Sequence, residues 1–317
     1  MLAELKFVAG SVSKKDFVPA LKHFVIENGT VRGYNGTLAL CTPIPFDLAC
    51  KPLGEPLVRA IANCNETVQL SLTKAGRLSI KSGKFKAFID CIEGDTPHVN
   101  PEGGDVVIDG PAILQALKTV APFIGDDASR PWSNGVLLKG QSAFATNNVT
   151  LVEFWTGTSF PEEINIPRLA VREMLRINEA PIRFQMNQNS ATFHYTGDRW
   201  IRTQLLATTW PDLAKVLDRP STAQPLDERL FEALETVKPF ADKLGRILFR
   251  DGGIRTHEDE SEGANFDIDG FNHAGIYRME ILSLLKDSAK TVDWSTYPNP
   301  CMFFGERLRG AIIGMRA

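Results

Sequence analysis

The chain has 317 residues, 43% of them hydrophobic and 23% charged, and a net charge of −3. That length exceeds one ordinary core, and the balance of residues is that of a soluble globular protein rather than a disordered or fibrous one. The negative balance argues against a simple cationic nucleic-acid binder, unless the positive charge is gathered on one surface.

The opening MLAELKFVAG lacks a signal-peptide pattern and no apolar run approaches a bilayer span, so the cytosol is the expected compartment. Residues 4–10 predict a short strand. Ser13 to Phe24 predict a helix, with Phe17, Leu21 and Phe24 at helical spacing behind a serine able to cap it. Strands are expected around 24–27, 30–34, 37–41 and 44–48. A helix over 52–63 places Leu53, Leu57 and Ile61 on one face, and alternating strands at 68–72, 78–82 and 84–89 close a first unit. Thr96-Pro97-His98-Val99-Asn100, with Gly103-Gly104 behind it, reads as a linker.

The order of elements then restarts. A strand at 106–108 and a helix at 111–123 lead into a meander over Trp132–Phe154, broken at Gly140-Gln141 and Asn147-Asn148. A helix over 167–177 opens on a first-turn proline, strands at 182–186, 191–195 and 200–206 follow, and Trp210 to Pro220 forms a second linker. The third unit has a helix at 226–237, strands near 246–249, 253–257 and 264–268, a helix at 279–288 and strands at 291–294, 301–305 and 308–315. Its acidic run His257–Glu262 reads as a solvated loop tip. The expected fold class is α+β, with three similar domains at 1–103, 104–219 and 220–317, each with two helices packed on antiparallel sheets.

Positive charge falls on or beside the helices. Arg168, Arg172 and Arg176 are spaced four apart and form one stripe opposite Val171, Met174 and Leu175. Like charges at that spacing cost a few tenths of a kcal/mol per pair, a cost a polyanion would offset. With Lys14, Lys15, Lys22, Arg59, Lys118, Lys238, Lys286 and Lys290 they are the candidate contacts to duplex DNA, through phosphates and independent of base sequence.

Signals for chemistry are missing. Cys41, Cys50, Cys64, Cys91 and Cys301 form no Cys-x-x-Cys pair and the histidines form no metal spacing, so neither a structural metal nor a cofactor is expected. No nucleophile elbow, phosphate loop or dinucleotide fingerprint occurs. Gly125-Asp126-Asp127 reads as a polar connection, and the carboxylates of Glu258 to Glu262 are too crowded to serve as an acid and base pair.

Four segments carry a resemblance to a known family. Leu78 to Lys86 looks like the strand pair near the end of the first domain of the bacterial DNA polymerase III β sliding clamp. Asn134-Gly135 with Ala145-Thr146 resembles the second-domain strand and the start of that family's Ala-Thr-Asp-Gly-His-Arg-Leu motif. Trp210-Pro211-Asp212 with Val216-Leu217 is similar to the Phe-Pro-Asp-Tyr segment that leads into its third domain, and Ile312 to Arg316 to its apolar tail. The resemblance spans the chain and points to a divergent, phage-like member.

That resemblance implies a homodimeric ring around DNA with helices lining the hole, no catalysis, and no membrane. DNA polymerase and clamp loader would enter as short peptides between the second and third domains. Carried over by position, the peptide pocket comprises Arg130, Ser133, Thr146, Asn148, Val149, Thr150, Leu151, Pro211, Val216, Ala311 and Ile313. Asn147 to Thr150 replace the motif's Asp-Gly-His-Arg, Ser133 a larger apolar residue and Gly314 a proline. The alternatives are a clamp-shaped protein that occupies clamp partners without encircling DNA, and an α+β hydrolase.

Overall fold

The computed structural model describes residues 1–13, 17–212, 214–250 and 252–316. It forms two compact units: residues 1–114 with 169–206, and residues 115–168 with 207–317. The helices are α1 (Leu2–Val8), α2 (Gly54–Ala62), α3 (Gly110–Val120), α4 (Arg168–Ile177), α5 (Ala214–Leu217), α6 (Arg229–Val237) and α7 (Met279–Ser283). Among the described residues no helix is long and apolar enough to cross a membrane.

The first unit is built on a seven-stranded antiparallel sheet. Its strands, in spatial order, are Val25–Glu27, Thr30–Tyr34, Leu38–Pro43, Arg199–Gln204, Ser190–Tyr195, Arg183–Met186 and Gly104–Val106. Ile201 stands opposite Leu40 where early and late strands meet, and both are buried, at 1% and 0% exposure. Each such side chain contributes about 1.5–3 kcal/mol on burial, so this junction is core rather than a polar contact between finished domains. A smaller sheet of Gln69–Leu72, Leu78–Ser82 and Phe85–Ile89 completes the unit.

The second unit repeats the device. Its eight-stranded sheet runs Ile164–Pro167, Gly135–Lys139, Ser142–Thr146, Thr150–Trp155, Leu308–Ile312, Cys301–Gly305, Thr291–Val292 and Gln224–Pro225. A four-stranded sheet of Asn265–Asp267, Gly253–Arg255, Arg246–Arg250 and Gly275–Arg278 accompanies it. Strands of the middle third of the chain are thus divided between the two large sheets, which is why the compact units cut across it. The meander forms as expected: the two-residue loop Gly140-Gln141 joins Lys139 to Ser142, with Gly140 at φ +58, a conformation glycine adopts without steric cost.

Several expectations need correction. Residues 4–10 are not a strand: Leu5 and Val8, three apart and 1% and 0% exposed, anchor helix α1. The helix expected over 13–24 falls partly outside the described residues. Over 17–24 the chain forms only the short 3-10 turn Pro19–Lys22, since proline has no N–H to continue a helix. Phe17 is fully exposed there while Phe24 is fully buried, so the two share no apolar face. No strand forms at 44–48, and α7 ends at Ser283 rather than 288.

Candidate functional site

The best-built cleft lies in the second unit, at the junction of strands Thr150–Trp155 and Leu308–Ile312. Leu151 pairs with Thr146 on one side and with Ala311 on the other. The turn before it is fixed by Asn147, whose Oδ1 accepts from Val149 N at 3.1 Å, Thr150 N at 2.8 Å and Thr150 Oγ1 at 2.8 Å. Such a side-chain turn tolerates positive φ at the next asparagine, and Asn148 has φ +69. Thr146 Oγ1 donates to Thr150 O at 2.6 Å, and the strand's far end is held by Ile313 N donating to Val149 O at 2.9 Å.

The remaining wall is α5. It buries Leu217 against Leu151, Met302 and Ala311 and sets Val216 beside them. Arg309 fastens this short helix to the sheet: Nε donates to Glu153 Oε2 at 2.6 Å, and Nη1 to Asp218 Oδ1 at 2.9 Å and Leu217 O at 3.4 Å. Ser142 supplies a further donor to Glu153, at 2.7 Å. A four-residue helix has no stability of its own, so this network and Leu217 position Val216.

The result is a cleft of about 190 Å³ lined by Arg130, Trp132, Thr146, Asn148, Val149, Thr150, Leu151, Val216, Ala311 and Ile313. Ser133 and Pro211, expected beside these residues, are not on the lining. Ser133 is fully buried behind it, with its hydroxyl donating to Arg130 O at 2.9 Å. Pro211 is exposed outside it. Trp132 takes the position on the wall, in edge contact with Trp210 at 5.3 Å between ring centroids. The 3-10 turn Pro131–Ser133 rotates Trp132 outward and Ser133 inward, a local twist that strand periodicity does not reveal. Ile313, 45% exposed, leaves apolar surface open at the mouth.

The candidate DNA contacts are less uniform than their sequence pattern. Lys14 and Lys15 lie outside the described residues. Arg59 is paired with Glu55 at 2.5 Å, Arg168 with Asp126 at 2.8 Å, Lys238 with Glu235 at 3.5 Å and Lys290 with Glu306 at 3.9 Å. Arg176 is held most firmly: besides Glu173 at 2.6 Å, its guanidinium donates to Lys6 O at 3.1 Å and Phe7 O at 2.7 Å, the carbonyls at the end of α1. Lys22, Lys118, Arg172 and Lys286 have no ion pair among the described residues. α6, by contrast, turns Glu232 and Glu235 outward, with Glu228 at its start.

Among the described residues no group of three or more His, Cys, Asp or Glu side chains is set to hold a metal. Burial pushes the Cys41 thiol up to about 11 and the Cys50 thiol up to about 12, away from the thiolate a nucleophile needs.

These paired sheets and helices are a DNA sliding-clamp fold. Similar solved structures include the DnaN sliding clamp of Bartonella birtlesii bound to griselimycin, at 16% identity and a TM-score of 0.85, and the DNA polymerase sliding clamp of Bacillus subtilis, at 13% and 0.84. The DNA polymerase III β subunit of Pseudomonas aeruginosa is similar at 17% and 0.84. Each comparison covers 100% of this chain and 97% of that chain. No protein-family model and no curated protein sequence matches this chain.

Proposed function

We propose that the chain is a DNA sliding clamp that tethers a polymerase and has no chemistry of its own. The observation that carries this reading is the likeness to bacterial sliding clamps along the entire chain, at TM-scores such as 0.84 and 0.85. In this reading residues 1–103, 104–219 and 220–317 are three domains, two copies close head to tail into a ring, and the helices face duplex DNA. Closing the ring would also cover exposed sheet edges. The cleft at Leu151, Val216 and Ile313 takes a short, partly apolar peptide of the polymerase or the clamp loader. Its open apolar wall and the rim cation Arg130 support that assignment.

The test is retention on nicked circular plasmid before and after linearisation. A clamp stays on the circle and is lost when the DNA is cut; equal retention on both forms would sink encirclement. A second reading, a clamp-shaped protein that occupies clamp partners without encircling DNA, is favoured by the carboxylates beside so many of the basic residues and by the acidic outer face of α6. Under it, the cleft binds peptide while neither plasmid retains the protein.

A further inference from the structure

Each unit's smaller sheet ends on an open edge. In the first unit the three-stranded sheet ends on Phe85–Ile89, and in the second the four-stranded sheet ends on Asn265–Asp267. Neither strand has an outer partner among the described residues, and open edges of this kind invite another strand. Their chemistry is opposite.

Along the first edge Lys86 and Phe88 alternate outward, with Phe88 50% exposed and the Lys86 ammonium 4.9 Å from its ring centroid. Lys86 stands directly opposite Lys81 in the register, and Lys84, also exposed, sits in the turn between their strands. Like charges directly opposite destabilise a sheet, and none of the three lysines has an ion pair among the described residues. Of the carboxylates nearby, Asp90 is taken by Arg77 at 2.8 Å, and Glu66, lying against Gly83 at the turn, leaves three cations to one acid.

The second edge is acidic. Asp267 is exposed on the strand, and the loop before it carries Glu258, Asp259, Glu260 and Glu262. Arg250 answers Glu258 at 3.1 Å and Arg255 answers Glu260 at 2.6 Å, while Asp259 accepts only from Ser261 among the described residues. Asp259, Glu262 and Asp267 thus have no ion pair among the described residues. Phe240 and Leu244, 54% and 58% exposed, lie just before strand Arg246–Arg250, at the end of the sheet where the acidic loop leaves it. Lys243, exposed between them, is the opposing charge there.

We propose that strand Phe85–Ile89 of one copy pairs with strand Asn265–Asp267 of a second copy, with Lys81, Lys84 and Lys86 facing Asp259, Glu262 and Asp267 and Phe88 facing Phe240 and Leu244. The proposal rests on the reading of two copies closed head to tail, and gives that closure its strands and its charges. Joined, the two small sheets make one of seven strands, as many as the first unit's main sheet has. Pairing either edge with its own copy would set lysine against lysine or carboxylate against carboxylate, so the contact is heterologous, and it closes when made twice between the same two copies. A seam between exposed charges is also weakened by salt.

The experiment is sedimentation velocity of the full chain over a range of concentrations and salt, with plasmid retention of the wild type measured beside it. The wild type should form a dimer whose dissociation constant rises about tenfold between about 0.1 and 1 M salt, as the screening length falls from about 10 to about 3 Å. Lys84→Glu together with Lys86→Glu should weaken the dimer about a hundredfold, and Glu262→Lys together with Asp267→Lys similarly, because like charges then meet across the seam. The chain with all four substitutions should recover most of the affinity, which damage to folding would not allow. A dimer that both reversals leave unchanged, a four-fold variant that recovers nothing, or a wild type monomeric at every concentration overturns the seam. Retention of the wild type on nicked circles in the first two cases would leave the clamp reading standing without it.

Discussion

Arg309 is a residue on which the cleft at Leu151 and Val216 depends without lining it. It stands opposite Glu153 in the strand register and bridges to Asp218 and Leu217, so removing it frees α5 and leaves the half-buried Glu153 carboxylate with Ser142 as its one donor among the described residues. Arg309→Ala should destabilise the second unit by about 1–3 kcal/mol in denaturant unfolding. It should also weaken binding of a clamp-partner peptide more than Arg130→Ala does, because Val216 loses its fixed place. Asp293 works similarly for the start of the third segment. Burial opposes its ionisation, but Ser295, Thr222 and Ser221 all donate to it, the closest being Ser295 Oγ at 2.6 Å, and together they hold its carboxyl below the usual range. A folded pKa below the unfolded value near 3.9 stabilises the protein above that pH, and the contribution is lost as the pH falls through the folded value. Asp293→Asn should therefore lower the melting temperature at pH 7 and flatten the acid limb of stability, with the two proteins converging once the pH has fallen below the folded value.

Helix α4 shows why residues alike in sequence need not act alike. Arg172 is exposed with no ion pair among the described residues, whereas Arg176 satisfies two carbonyls at the C-terminal end of α1, where a cation also meets the helix dipole favourably. Arg172→Ala should reduce the salt dependence of DNA binding at unchanged melting temperature; Arg176→Ala should lower the melting temperature, by about 1–3 kcal/mol of stability. Equal effects on both readouts would return the two to one role. The amphipathic helices α2, α3, α4 and α6 and the strand meander were legible because their apolar spacing is long enough to have a period. The seven residues of α1 were not, since Leu5 and Phe7 alternate as a strand would while Leu5 and Val8 repeat as a helix does. The short edge strands Ile164–Pro167 and Gln224–Pro225 are held by partners far along the chain and carry almost no local signal. Of the cleft, the strand residues followed from the family resemblance, while Trp132, turned by a 3-10 turn, and Arg309, acting from behind, follow only from the folded contacts.

For the whole molecule the question raised by the proposed clamp is how a chain of net charge −3 would hold a polyanion. Ion pairs such as Arg59–Glu55 and Lys238–Glu235 are exposed and worth only about 0–1 kcal/mol, so phosphate could exchange for the carboxylate. Each exchange leaves a free carboxylate beside the DNA, however, and the net gain in attraction is small. Among the candidate DNA contacts, those without such a neighbour among the described residues are Lys22, Lys118, Arg172 and Lys286. At about 0.9 per phosphate contact, they limit the slope of log affinity against log salt on linear duplex to roughly −4 for one chain and roughly −7 for a ring of two copies. Binding to linear DNA should thus show a slope no steeper than about −7 by fluorescence anisotropy, and a slope of about −12 or steeper would mean that the carboxylate-paired side chains also engage phosphate. Retention on a closed circle should be nearly insensitive to the same range of salt, because a ring around DNA does not need tight contacts to stay on it. Loss from nicked circles at the salt that strips linear duplex would leave surface attraction as the sole hold on DNA.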